Sequence, residues 1–365
     1  MAKTKGQKRS VWTKSDGDNR FELVPSITDI DREDVARLFG GQQEVSFRQF
    51  PEWDDLVKIS GRVLYFTYRK DDELVAFALL RFPTPRIANL EFGPVAVSAE
   101  DGLTALGEII EAVKSSTSAW YLRVQLPWQE GEVSEFVVRK IAKEHSFSTF
   151  EDKRNWASSV IDTTRSDEEL MKSLSKNHKR SVKKAVKLGL VSRELITAEE
   201  VTAFNDIYCS MYKVRGETID RDANLRDYLN LFEYFRESRN GFFYGVFEGD
   251  DLIGGMIIVK QGNYGFYHHS ASDPTKRKLP VLHSAVFSVI EELRVRGMRY
   301  FDFGGYNHMV DESDQVYNIN RFKDGFTKEY TYYPKLMYFE FKPNAVALLE
   351  FSQKLKDVVK KVIRR

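Results

Sequence analysis

Apolar and polar residues alternate in paired runs along this chain, and the runs come in the same order twice. RVLYFTYR and ELVAFALLRF, joined through the turn-forming Lys70-Asp71-Asp72, predict a β-hairpin. A third strand at IANLEFGPV, a helix over roughly 101–117, the strand WYLRVQL and a helix over roughly 132–144 complete one α/β unit. GFFYGVFEGDDLIGGMIIVK then repeats the hairpin around Gly249-Asp250-Asp251. YGFYHHSAS repeats the third strand, a helix over roughly 279–297 follows, and MRYFDFGG is the next strand. The predicted fold class is α/β, with two related domains that each carry a mixed central sheet flanked by helices. Outside the repeat, SITDIDREDVARLFG reads as a capped helix. Helices are expected over about 167–188 and 197–239, the second broken near Gly216. TYYPKLMYFEF reads as a strand, and NAVALLEFSQKLKDVVKKVIRR as an amphipathic helix whose Leu349, Leu355, Val358, Val359 and Val362 face the body.

The length of 365 residues exceeds the usual size of one domain and agrees with two domains or one doubled domain. The boundaries read from the pattern are a disordered basic tail over 1–20, a first domain over 21–150, a second over 151–340, and a basic C-terminal helix over 341–365. Hydrophobic residues at 42%, aromatics at 13% and a net charge of +1 place the chain among soluble globular proteins. The single cysteine, Cys209, excludes an intramolecular disulfide and a cysteine zinc cluster. Its setting in FNDIYCSMY suggests a buried structural thiol. No apolar run approaches the roughly 18–20 residues of a membrane span, and MAKTKGQKRS lacks an apolar leader core, so a cytoplasmic location is expected. The basic C-terminal helix is compatible with peripheral membrane contact.

Candidate chemistry concentrates between Met298 and Tyr330. Gly304-Gly305 ends a strand where a bulkier side chain would hold a ligand off the backbone. Residues 306–320 carry His308, Asp311, Glu312 and Asp314 without an apolar pattern and read as a loop over a pocket. In NRFKDGF, Arg321 and Lys323 flank Phe322, an arrangement in which an aromatic anchor sets two cations near an anion or a developing oxyanion; the plain alternative is a solvated strand end. Asp302 or a nearby carboxylate is the candidate proton acceptor. A second feature is the stretch from Leu170 to Arg193, which has no acidic residue. Lys172, Lys176, Lys179, Lys183 and Lys187 recur at helical spacing, with Arg180 and Lys184 beside them, and so form a cationic stripe suited to phosphates of a nucleotide, a tRNA or a lipid, or else a solvated face. His268 and His269 are adjacent on a strand and point to opposite faces, so no metal site is expected. Without HExxH, GxSxG or a P-loop, what remains is transfer of an activated ester or thioester to an amine with no covalent intermediate.

The succession SLSKNHKRSVKKAVKLGL, FEGDDLIGGMIIV, YGFYHHSASD, RYFDFGGYN and NRFKDGF resembles the FemABX family of non-ribosomal peptidyltransferases, and VSFRQFPEW and EFGPVAV resemble that family's first domain. The resemblance implies two acetyltransferase-like (GNAT-like) domains and transfer of an amino acid from aminoacyl-tRNA to the peptide stem of a peptidoglycan precursor. It implies that Phe322 and Lys323 match the family's Phe-Lys pair at the transfer site, with Lys323 catalytic, that Tyr267 lines the pocket, and that Lys58 and Arg215 meet precursor phosphates. Gly304, Gly305 and Arg321 would complete the substrate site, and Lys176, Lys179, Arg180 and Lys183 the donor site. The chain lacks the coiled-coil arm of some members and resembles the compact ones. The same doubled fold also occurs in acyl-coenzyme A-dependent enzymes that acylate nucleotide-linked amino sugars, and a non-catalytic binding protein is a third reading. The expected donor is thus aminoacyl-tRNA or acyl-CoA, with no metal or other cofactor, and the expected acceptor a nucleotide-linked or lipid-linked cell-envelope precursor.

Overall fold

The computed structural model describes residues 10–41, 45–53, 56, 61–149 and 157–344. The chain divides into two compact units, one of Met1–Pro51, Ser60–Asp152 and Tyr333–Arg365, the other of Glu52–Ile59 and Lys153–Tyr332. In the first, strands β1 (Trp12–Asp16), β2 (Asn19–Val24), β3 (Arg62–Lys70), β4 (Glu73–Thr84), β5 (Ile87–Glu91), β6 (Val95–Ala96), β7 (Tyr121–Gln125) and β8 (Ser148–Thr149) share one sheet. In the second lie β9 (Ala157–Asp162), β10 (Val191–Glu194), β11 (Gly241–Glu248), β12 (Asp251–Gln261), β13 (Tyr264–Ser272), β14 (Tyr300–Tyr306) and β15 (Tyr330–Tyr332). The last strand, β16 (Met337–Glu340), returns to the first sheet between β7 and β8. Both units are therefore mixed sheets flanked by helices, as the duplicated pattern predicts.

The first sheet packs on the Ala99–Ser116 and Glu132–Glu144 helices through Leu106, Ile109, Val113, Val137 and Ile141, all 0% exposed. Its hairpin turns at Asp71-Asp72, both with positive φ, as a tight turn matched to the right-handed strand twist requires. Gln49, also fully buried, accepts from Leu79 N at 2.8 Å and donates to Glu91 O at 2.7 Å, which ties the 3₁₀ segment Phe47–Gln49 to the sheet.

The second sheet runs β10-β11-β12-β13-β14-β9-β15. On one face the Val281–Val295 helix buries Ala285, Val286, Val289 and Leu293, each 0% exposed. The Ala198–Val214 and Arg221–Ser238 helices bring Phe204, Tyr228, Phe232 and Phe235 onto Phe243, and their break falls at Gly216 as expected. The feature that matters for the site is a fork: parallel pairing of β13 with β14 stops after Tyr264–Phe266 against Tyr300–Asp302. In the first unit the parallel pair β5–β7 holds over Ile87–Glu91 against Tyr121–Gln125.

Several expectations are corrected. The part of the basic tail from Trp12 onward is an edge hairpin turning at Gly17, paired Trp12 to Leu23; its strand is exposed along most of its length and so carries no hydrophobic alternation to read. The helix over 167–188 is two, Asp167–Ser173 and Lys176–Lys187, because Leu174 is drawn into the core and Ser175 caps the second by accepting from His178 N. Residues 306–320 are not all loop, since Asp314 caps a helix over Gln315–Asp324. TYYPKLMYFEF splits at Pro334 into strands that serve different sheets. The C-terminal helix expected over 341–365 lies outside the described residues beyond 344.

Close strand approach is tested at Gly255, where a Cβ would stand 2.1 Å from Tyr244 O and 3.0 Å from Gly245 Cα, backbone atoms that have no rotamer to yield. Gly255→Ala is expected to destabilise the protein by about 1–3 kcal/mol, the usual cost of overpacking. Urea unfolding checks this, and an unchanged midpoint would contradict the packing described.

Candidate active site

The fork in the second sheet is closed from one side by the Gln315–Asp324 helix. Its faces do different things, because residues three apart share a side of a helix. Asn320 and Lys323 are buried, 4% and 7% exposed, whereas Ile319 and Phe322 line a cleft. Lys323 Nζ donates to Gly305 O at 2.6 Å and to Gly304 O at 3.2 Å, at the free end of β14. Burial pushes this ammonium down to about 8, and the Asp302 carboxylate opposes that shift. Asp302, 3% exposed, accepts from Gly304 N at 2.7 Å and from Ser158 Oγ. A buried cation beside a buried carboxylate thus sits where β14 leaves β13.

Other side chains hold the helix in place. Asp324 accepts from Tyr306 Oη at 2.9 Å and Tyr330 Oη at 2.7 Å, which fastens the helix end to β14 and β15. His178 Nε2 meets Phe322 O at 2.9 Å; a carbonyl only accepts, so Nε2 carries the proton and Nδ1 accepts from Ser175 Oγ at 3.1 Å. Burial lowers the His178 pKa and favours this neutral form. The neighbouring imidazole of His283, 4.5 Å away between ring centres, is pushed down to about 4 by burial first and by His178 second.

The cleft has a volume of about 500 Å³ and is walled by Tyr208, Tyr212, Tyr267, His268, His269 and Phe322, with Arg215 and Arg277 at its exposed margin. Two stacked or edge-on aromatic walls with guanidinium groups beside them suit a flat ring carrying phosphate. Tyr267 donates to Ser270 Oγ; burial raises its pKa, against the pull of that bond and of the Arg215 charge.

The structure thus brings together Phe322, Tyr267 and Arg215 in the cleft, and Lys323, Asp302, Gly304 and Gly305 at the end of β14. It separates others. Arg321 and Lys323 are two apart on a helix and diverge: Arg321 is exposed and lies over Tyr317, so the pair of cations around Phe322 does not form. Gly304 has nothing within 4 Å of a Cβ; its φ of +73° is the reason for glycine there, not close approach of a neighbour. Asp311, Glu312 and Asp314 are engaged locally, in a turn with Ser313 N, with Tyr317 Oη and as a helix cap. Lys58 lies outside the described residues. Cys209 is half-buried, and burial raises its pKa, as for a structural thiol.

The cationic stripe holds with a change of members. Lys172 belongs to the preceding helix and pairs with Glu168, while Lys179 donates to Lys172 O. Lys176, Arg180, Lys183 and Lys187 are exposed on one side of the Lys176–Lys187 helix, and among the described residues they make no ion pair. Sequence reasoning missed His178, Tyr208, Arg277 and Asp324. His178 was visible only as one letter inside a charge run, and the other three gain their meaning from the tertiary fold.

Residues 172–323 match the family model described as an acetyltransferase (GNAT) domain. No curated protein sequence matches. Among solved structures the chain is similar to FemX, with a TM-score of 0.73 at 13% identity, covering 88% of this chain and 98% of that one. It is also similar to L-PGS from Bacillus licheniformis (TM-score 0.57, 8% identity, 89% and 96% covered) and to a tandem GNAT protein from the clavulanic acid biosynthesis pathway (TM-score 0.51, 13% identity, 88% and 98% covered). The protein is an acyltransferase whose second half carries a GNAT domain. Its fold is a doubled GNAT-like fold with FemX-like architecture. Among the described residues no helix is long and apolar enough to cross a membrane.

The lowered pKa of Lys323 has a definite sign. Between about 8 and the ordinary lysine value of 10.5, the unfolded chain holds a proton that the folded one has released, so stability rises with pH across that window. Wild type should gain unfolding free energy relative to Lys323→Met between pH 8 and 10.5. Paired denaturant titrations measure this, and a flat difference would mean that the ammonium is not buried.

Proposed function

We propose that this protein transfers an aminoacyl group from aminoacyl-tRNA to an amine on the peptide stem of a peptidoglycan precursor. The observation that carries the reading is the Phe322-Lys323 step at the fork, with Phe322 on the cleft and the Lys323 ammonium beneath the end of β14. A positive charge held in a dry site favours the negative charge that develops on the acyl oxygen. Phe322 and Tyr267 give the acyl group an apolar wall, and Arg215 with Arg277 meets the phosphates of the acceptor. The exposed row Lys176, Arg180, Lys183 and Lys187, with Lys179 at its flank, is assigned to the donor's phosphate backbone. Asp302 holds Lys323 charged and in register, so its role is positioning.

Two observations support other acceptors or donors within the same chemistry. The match to an acetyltransferase (GNAT) domain supports an acyl-coenzyme A donor, for which a nucleotide-linked amino sugar is the acceptor to try. Similarity to L-PGS adds a lipid-linked acceptor to the trials. All readings use one step, in which a nucleophile, an amine or for a glycerol lipid a hydroxyl, attacks an activated acyl carbon.

Mass spectrometry of products separates them. The protein is incubated with a UDP-linked muramyl-peptide or a lipid-linked acceptor and aminoacyl-tRNAs, and in parallel with amino-sugar nucleotides and acyl-coenzyme A thioesters. An added amino-acid residue on the muramyl-peptide, lost in Lys323→Ala, is the expected result; an acyl adduct on the amino sugar alone would move the assignment to surface-polysaccharide synthesis. Arg215→Ala and Arg277→Ala should raise KM for a phosphorylated acceptor roughly tenfold or more with kcat little changed, as loss of uniform binding requires. Unchanged KM in both would remove the phosphate from this end of the cleft.

A further inference from the structure

The cations assigned to the donor and the lysine of the transfer point meet at one side chain. On the Lys176–Lys187 helix, Lys176, Arg180, Lys183 and Lys187 face solvent, and the buried side is His178, Val182 and Ala185. Val182 enters the hydrophobic core of the second unit, while His178, 9% exposed, reaches the end of the Gln315–Asp324 helix.

Three contacts converge there. His178 Nε2 donates to Phe322 O at 2.9 Å, Ser175 N donates to Gly325 O at 2.9 Å, and the imidazole meets the Phe326 ring edge-on at 4.6 Å between centres. Ser175 Oγ donates to His178 Nδ1 at 3.1 Å and accepts from His178 N, so the residue that caps the cationic helix also fixes the tautomer and direction of the ring. Gly325 makes room for that ring. Its φ of −70° is open to any residue, yet a Cβ there would stand 2.1 Å from His178 Cε1.

The Gln315–Asp324 helix has other anchors to its sheet, because Lys323 holds the carbonyls of Gly304 and Gly305 and Asp324 holds Tyr306 and Tyr330. What the joint adds is a fixed offset between two helices. The cationic row begins two residues before His178 and runs roughly 17 Å along its helix, and Lys323 follows Phe322 directly. A polyanion lying on the row thus has its reactive end placed against Lys323 through this contact.

We infer that His178 is a positioning residue that registers the docked donor to the transfer point, and that through it the protein favours a full aminoacyl-tRNA over a donor without the phosphate backbone. This rests on the aminoacyl-tRNA reading above. His178 takes no part in the chemistry, since both its nitrogens are engaged and it does not line the cleft. Its effect is on where the ester arrives, and a misplacement of about 1 Å at reacting atoms costs about 10²-fold in rate.

The experiment compares two donors of the same amino acid, the full tRNA and a 3′-terminal trinucleotide ester, with a UDP-linked muramyl-peptide as acceptor. The proteins are wild type, His178→Leu, His178→Gln, Gly325→Ala and the triple variant Lys176→Ala, Arg180→Ala, Lys183→Ala, with thermal unfolding of each as a folding control. Leucine fills the site without a donor for Phe322 O, whereas the glutamine amide can replace Nε2. His178→Leu is expected to lower kcat with tRNA about 10²-fold at a KM within about threefold of wild type, while kcat/KM with the trinucleotide falls less than about fivefold. His178→Gln recovers most of the tRNA rate. Gly325→Ala, which displaces the same ring from the other helix, reduces the preference for tRNA at least about tenfold and decides the matter if His178→Leu does not fold. The triple variant raises KM for tRNA about tenfold or more and leaves the trinucleotide unaffected. Equal falls with both donors in folded His178→Leu or Gly325→Ala would make the joint a support of Lys323 alone and overturn the inference. A tRNA KM unmoved in the triple variant would take the donor off the row and overturn it as well. Both results leave the aminoacyl-tRNA reading standing. A wild-type protein that yields no product from aminoacyl-tRNA overturns that reading, and this inference with it.

Discussion

The second unit depends on a buried ammonium at the end of a strand. Lys323 is 7% exposed and binds carbonyl oxygens of Gly304 and Gly305, which the sheet leaves available because β14 parts from β13 after Asp302. Burying a charge is costly unless hydrogen bonds and a counter-charge accompany it, and here both are present. The arrangement is reciprocal. Without the fork the carbonyls would pair within the sheet, and without the lysine the forked strand end would leave acceptors facing a closed helix. Asp324, held by Tyr306 and Tyr330, and His178, bonded to Phe322 O, keep the helix at the distance this contact requires.

Much of the fold was legible because its causes are local. The two hairpins announce themselves through alternating apolar strands around Asp71-Asp72 and Gly249-Asp250, and the duplicated order of elements follows from hydrophobic period alone. Features set by tertiary contact were not legible. The strand Trp12–Asp16 has one exposed edge and reads as tail, and the Lys176–Lys187 helix is separated from its predecessor because Leu174 must reach the core. The return of β16 to the first sheet is a choice of partner, which no local pattern encodes.

The site shows the same division. Phe322 and Lys323 are recognisable as a motif in the sequence, but the spacing there suggests two cations, Arg321 and Lys323, acting together around Phe322. On a helix, residues two apart lie about 200° around the axis, so one cation goes to solvent and the other to the core. The motif's chemistry therefore comes from asymmetry, with Phe322 toward the cleft and Lys323 toward the strand. The histidines failed for a related reason. A period of two sends neighbours to opposite faces, and one extra residue in β13 cancels it. Sequence carries no mark of a bulge, so the stacking of His268 on His269 emerges only once the register is known.

The two units show how one sheet plan serves as scaffold or as site. Both contain a hairpin, a third strand, a helix and a parallel partner for the third strand. In the first unit that parallel pair stays zipped over Ile87–Glu91, and the backbone groups between β5 and β7 satisfy one another. In the second, pairing ends after three residues, and the bulge and the buried lysine lie just beyond the point of separation. A sheet that opens must find other partners for its backbone, and the side chains recruited for that task become the polar groups available for chemistry. On this view the cost of the fork and the capacity for acyl transfer have the same origin. Restoring regular pairing between β13 and β14 would stabilise the sheet and remove the site.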